Sequence, residues 1–140
     1  MIDRMIEHDV RWKQRFQNLT RALILLREIN DVDFNELKAL ELEGFSQRFE
    51  FTYELLWKTI KDYMEYQGFA TLASPRATFK TAYLNGILAD NDIFAEIVNA
   101  RNLLSHTYDS IKFKEILVRV REEFLPAFEK AYATLLEGHL

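Results

Sequence analysis

No cysteine occurs in the 140 residues, which excludes a disulfide framework and a thiolate zinc site. With only two prolines and four glycines, the chain lacks the punctuation that the many turns of an all-β protein need, so long helices are favoured. Long apolar runs are missing too. The longest, Ala22 to Leu26, is far too short to span a bilayer, and Asp3 and Glu7 stand where a signal peptide would carry its apolar core. A cytoplasmic protein without membrane attachment is therefore expected. Nor is positive charge in excess. The formal net charge of −4 argues against non-specific coating of nucleic acid, while leaving room for a local basic site.

What is present is the balance of a soluble globular protein, 49% hydrophobic and 29% charged, and the length suits one domain over residues 1–140. From about Asp3 to Glu28, Trp12, Phe16, Leu19, Leu23 and Leu26 recur at steps of four and three, one apolar stripe on a helix. Asp33 with Glu36 reads as a capping box opening a second helix, about Phe34 to Tyr66. Its seam is Leu42, Phe45, Phe49, Thr52, Leu56, Ile60 and Tyr63, and beside it runs a mixed stripe of Glu43, Gln47, Glu50, Glu54, Trp57 and Lys61. Gly44 inside this pattern suggests close approach of another helix, and Gly68 a terminating cap. Ser74-Pro75 starts a short helix that Asn85-Gly86 ends after about Leu84. Asp90 or Asn91 caps a fourth, roughly Ile93 to Ser105. A fifth spans about Ile111 to Glu137, kinked or split near Glu122–Glu123 by Pro126. The expected fold is all-α, an up-and-down antiparallel bundle of four or five helices.

The residues that point to chemistry are Arg101-Asn102-Leu103-Leu104-Ser105-His106, followed by Thr107-Tyr108-Asp109. Phe94, Ile97, Arg101, Leu104 and Tyr108 share one seam if the helix persists that far, and Asn102 and His106 lie on a neighbouring face. An arginine beside a core needs a partner, and Glu50 and Glu54 on the second helix are candidates. The plain reading is an Arg–Glu pair that fixes helix register, with His106 and Tyr108 as ordinary half-exposed residues. The sharper reading uses the groups. Histidine moves protons at neutral pH, and arginine forks onto phosphate. Arg101 with His106 then suits metal-free RNA cleavage, with Asn102 orienting either group. A single histidine in this cluster is thin for both acid and base, so a two-fold dimer would be required.

Residues 101–109 resemble the Arg-x4-His-x-Tyr signature of the HEPN superfamily. Gln47-Arg48-Phe49-Glu50-Phe51-Thr52-Tyr53-Glu54-Leu55-Leu56-Trp57-Lys58, then Asp62-Tyr63 and Tyr66-Gln67-Gly68, resemble one branch of it, the nucleotidyltransferase substrate-binding protein family. Ser74-Pro75-Arg76 and the turn from Asn85 to Asp90 fit the same branch. The resemblance implies a homodimer with the signature helices facing each other, and a separately encoded minimal nucleotidyltransferase as partner. It implies two functions. One is the substrate-binding half of a two-component nucleotidyltransferase, taking a nucleotide or RNA phosphate. The other is an RNase toxin, with Arg101 and His106 as the catalytic pair and Asn102 beside them, silenced by AMP transfer to Tyr108.

Glu43, Glu50, Glu54 and Asp62 do not make a di-metal site, because the Glu-x-x-His steps that such bundles use are missing. No Gly-rich phosphate loop and no Gly-Ser with Asp-x-Asp is present, so neither a metal nor a cofactor is expected. Trp57 reads either as core packing or as an aromatic wall of the dimer cleft. Lys112, Lys114, Arg119 and Arg121 read as a solvated basic face or as a guide for an RNA strand toward the cleft.

Overall fold

Residues 2–70, 72–107 and 109–139 are described by the computed structural model. Helix α1, Ile2–Leu26, buries Trp12, Phe16, Leu19, Leu23 and Leu26, the stripe expected from the spacing. A 3₁₀ turn, Arg27–Asp31, leads out of it. Helix α2, Ala39–Tyr66, begins five residues later than expected. Asp33 does not cap it. The Asp33 carboxylate accepts the Asn35 N–H at 2.9 Å and its carbonyl accepts the Glu36 N–H at 3.0 Å, closing a local turn. Lys38 is extended, and the Glu41 carboxylate takes the Lys38 N–H at 3.0 Å, the reciprocal half of a capping box.

All seven residues of the α2 seam are buried. The helix ends in a Schellman motif, with the Phe69 N–H donating to the Met64 carbonyl and Gly68 at φ +98°. Helix α3, Pro75–Leu84, starts at a Ser74 cap and ends in the same motif at Gly86, φ +76°. Asp90 caps α4, Asn91–Leu104, and Asp109 caps α5, Ser110–Arg119. The break expected from Pro126 is a π turn, Val120–Phe124, before α6, Leu125–His139. Proline has no N–H and its ring crowds the carbonyl four residues back. The wider turn, with the Leu125 N–H donating to the Val120 carbonyl, takes up the mismatch without ending the helix.

Helices α1 and α2 run antiparallel, as do α3 and α4, while α3 follows the direction of α2. Along α1 and α2, Trp12 meets Tyr63, Arg15 meets Asp62 and Arg48 reaches the Leu25 carbonyl, so the two run antiparallel. Along α3 and α4, Phe79 meets Phe94 and Arg76 meets Asn99, again antiparallel. Helix α6 lies against α1 through the Phe16–Tyr132 stack and the Arg27–Glu129 ion pair. Phe49 stacks on both Phe124 and Phe128 at the centre, joining α2 to the last helix. Among the described residues there is no strand, and no helix is long and apolar enough to cross a membrane.

Gly44 departs from expectation. A Cβ built there meets nothing within 4 Å among the described residues, so no helix closes tightly on it. The close approach is at Gly138 instead, where a Cβ would collide with the Tyr63 hydroxyl.

Candidate functional site

Helix α4 runs antiparallel to α2 along the mixed stripe. Arg101 stands level with Glu54, and Thr107 shares a hollow with Leu42 and Glu43 nearer the start of α2. The register follows from the apolar residues around Arg101. Ile97 and Leu104 are buried, so Arg101, four residues after one and three before the other, must point between α4 and α2. It is half-buried as a result. Its Cζ lies 6.0 Å from the centroid of the Tyr53 ring, within reach of a cation–π contact.

The pairing of Arg101 is incomplete. Its Nη2 is 3.9 Å from Glu54 Oε1, too far for a hydrogen bond, and its Nε, closed off from solvent, has no hydrogen-bond partner among the described residues. Glu54 is otherwise engaged. Its Oε2 accepts a hydrogen bond from Trp57 Nε1 at 3.1 Å and lies 3.5 Å from Lys58 Nζ. Glu50, the other candidate acid, is half-buried and forms no ion pair among the described residues. Trp57 is half-buried beside the core, between the two readings that the sequence left open. Burial, and then the charge of Glu54, push the Tyr53 phenol up to about 12 against the opposing pull of Arg101 and Arg76. Tyr53 thus remains a neutral hydroxyl beneath the guanidinium.

Asn102 and His106 lie outside the α2–α4 contact. Asn102 and His106 are exposed, on the solvent side of α4 and in the turn that follows it. The helix stops at Leu104, and the His106 N–H closes a turn onto the Leu103 carbonyl at 3.0 Å. The seam is helical as far as Leu104, and Tyr108 lies outside the described residues. Within one chain, Arg101 is brought to Glu54 and Tyr53, while His106 and Asn102 are exposed. The basic face on the last helices is partly neutralised. Arg119 pairs with Glu96 and Glu123, and Arg121 pairs with Glu122 and lies 4.7 Å over the Phe34 ring. Tyr53 and Lys58 complete the surroundings of Arg101. Sequence reasoning gave neither a role, although Lys58 stands at i+4 from Glu54, the spacing of a helical ion pair.

The exposed side of α2 borders this site. Leu40 is 78% exposed and Phe51 68%, and Leu40, Gly44, Gln47 and Phe51 fall within roughly 60° of arc on one helix face. Gly44 and Phe51 line a hollow of about 420 Å³ with Ala22, Leu25, Gln47 and Arg48.

A family model described as nucleotidyltransferase substrate binding protein like matches residues 14–137. The fold is similar to that of a Thermus thermophilus protein of known crystal structure, at 26% identity and a TM-score of 0.70, over 86% of this chain and 98% of that one. It is also similar to a tri-AMPylated HEPN toxin from Shewanella oneidensis, solved in complex with an MNT antitoxin. There the identity is 16% and the TM-score 0.72, over 90% of this chain and 96% of that one. Comparison with curated protein sequences gives no match.

Proposed function

Because this chain belongs to the nucleotidyltransferase substrate-binding protein-like family, we propose that it is the partner subunit of a two-component minimal nucleotidyltransferase. In this reading it holds a nucleotide or RNA phosphate in a cleft of its own homodimer, and the catalytic chain is separately encoded. The observation that carries the reading is the unfinished pairing of Arg101. A half-buried guanidinium normally has its donors satisfied, yet this one has an unpartnered Nε and a carboxylate held 3.9 Å away. Its Nη donors, on a side chain 34% exposed, are not committed to that carboxylate and are open to the forked contacts that phosphate oxygens accept. A purely structural dimer, locked by a buried salt-bridge network, would call for a closer pair than this.

The exposed face of α2 supports a second copy as dimer partner. Phe51 and Gly44 are two turns apart on one face, so antiparallel pairing of two α2 helices about a dyad sets each Phe51 over the other chain's Gly44. The segment from Arg101 to Thr107 lies alongside α2 between the levels of Glu54 and Glu43. Such a dyad brings both signature segments to one side of the dimer.

A second reading is favoured by the exposed His106 five residues after Arg101 and by the fold shared with a HEPN toxin. It is a metal-independent RNase neutralised by AMP transfer to Tyr108. One experiment separates the two: the chain is co-expressed with a small neighbouring-frame product carrying Gly-Ser and Asp-x-Asp, then assayed for transfer and cleavage. A binding subunit passes the nucleotidyl group to a third molecule and Tyr108→Phe leaves this intact. A toxin gains AMP mass that Tyr108→Phe abolishes, and its RNA cleavage falls at least about a hundredfold in His106→Ala and Arg101→Ala. Absence of transfer, AMP gain and Arg101-dependent cleavage alike would dismiss both readings.

A further inference from the structure

Glu54 sits between two cations and is hydrogen-bonded to neither. Lys58 Nζ is 3.5 Å from its Oε2 and Arg101 Nη2 is 3.9 Å from its Oε1. A direct charged hydrogen bond brings such atoms to about 2.7–2.9 Å. The two cations thus stand back from the carboxylate on either side, and the indole N–H of Trp57 is the group that holds Glu54 in place, at 3.1 Å. The charges do not cancel: two cations face one carboxylate. Glu50, one turn earlier on the same stripe, pairs with neither of them.

A carboxylate and a phosphate ester both present anionic oxygens on one centre, so cations spaced around the first also fit the second. We propose that Lys58 and Arg101 together form a phosphate-ester site, and that Glu54 is its displaceable counter-ion. Without ligand, Glu54 keeps the two like charges from repelling each other. An arriving phosphate takes over that role, closes the gaps to Lys58 and Arg101, and leaves Glu54 on the Trp57 N–H. Glu54 then acts as a positioning residue that competes with ligand, and Lys58 is the second phosphate contact.

This inference rests on the reading that Arg101 binds phosphate, and the test is arranged to separate the two. The full-length chain is titrated with fluorescent AMP and with a short single-stranded oligoribonucleotide, following anisotropy across a range of salt concentrations. Lys58→Ala should weaken binding about tenfold and lower the oligoribonucleotide salt slope by about 0.7, the share of one neutralised phosphate. Lys58→Arg should restore both. Glu54→Gln keeps the size and the Trp57 hydrogen bond but removes the competing charge, and should tighten binding at least about threefold. The pattern with AMP alone identifies a nucleotide monoester as the ligand, and with the oligoribonucleotide a diester; either supports the site. An unchanged affinity and slope in Lys58→Ala, or weaker binding by Glu54→Gln, overturns the inference while loss of binding in Arg101→Ala leaves the parent reading standing. Binding indifferent to Arg101→Ala removes both.

Discussion

Two arginine–carboxylate pairs join neighbouring helices to α2, and they are built in opposite ways. On the side facing α1, Arg15 Nη1 reaches Asp62 Oδ2 at 3.0 Å, and the aspartate is 3% exposed. On the side facing α4, Arg101 and Glu54 stand 3.9 Å apart with 34% and 38% of their side chains exposed. Burial pushes the Asp62 carboxyl above its ordinary range, with Arg15 pulling it back and Glu65 raising it further. The guanidinium approaches Asp62 off its N–H directions, so Asp62 Oδ2 accepts no hydrogen bond. The closed pair holds two helices in register at the expense of a dehydrated charge. The open pair leaves a cation incompletely matched at a surface where a ligand can reach it. Proximity alone would rank both as salt bridges; burial and distance set them apart.

The sharpest way to break the distinction is to remove one partner from each pair. Arg15→Ala takes the nearest counter-charge from the buried Asp62 carboxylate, leaving the weaker influence of Arg11 and Lys61, and should lower the unfolding free energy by about 3 kcal/mol in a denaturant titration. Glu54→Ala, at a half-exposed pair, should change it by less than about 1 kcal/mol. Equal losses would mean that the two pairs serve the same purpose. A subtler effect follows from the raised pKa of Asp62. In the window between the ordinary carboxylate value near 4 and the raised value, the folded chain binds more protons at this site than the unfolded chain. The Asp62 contribution to stability is therefore full below that window and lost as pH rises through it. Asp62→Asn should flatten this limb of a stability–pH curve. A limb of the opposite slope, or one that survives in Asp62→Asn, would place the titration elsewhere.

The closed side of the bundle was legible in the sequence. The three-four spacing of Trp12, Phe16, Leu19, Leu23 and Leu26, and of the seven-residue α2 seam, records burial directly, because a helix with one apolar face has one way to dry it. Pro126 announced the break at the π turn for the same local reason. Asp33 was misleading because aspartate serves an Asx-turn as readily as a helix cap, and which one wins depends on where the buried Phe34 is drawn. At the site, spacing found Arg101 and offered Glu54. It could not choose Glu54 over Glu50, since both lie on one stripe and only the axial position of α4 decides between them. It put the end of α4 at about Ser105, within one residue, but not the course of the turn that leaves His106 exposed, away from Arg101's contact with α2. Lys58 and Tyr53 passed without a role because a helical i+4 cation and a seam-side tyrosine are common in any bundle.

Gly44 offers the finest test, since it lies on the open side of α2, where the sequence suggested a close neighbour and the chain supplies none. Glycine within a helix costs about 1 kcal/mol relative to alanine. A Cβ at Gly44 meets nothing within 4 Å, so no contact inside the chain repays that cost. Gly44→Ala should therefore raise the stability of the isolated chain by up to about 1 kcal/mol. If two copies meet with Phe51 over Gly44, the same methyl group intrudes on the interface and the dimer should dissociate at lower dilution. Because association adds to apparent stability by mass action, unfolding followed across protein concentrations separates the two effects. The gain then appears where the chain is monomeric and shrinks as concentration rises. A uniform gain at every concentration would show that Gly44 faces solvent in the dimer as well, and the open side of α2 would need a different occupant.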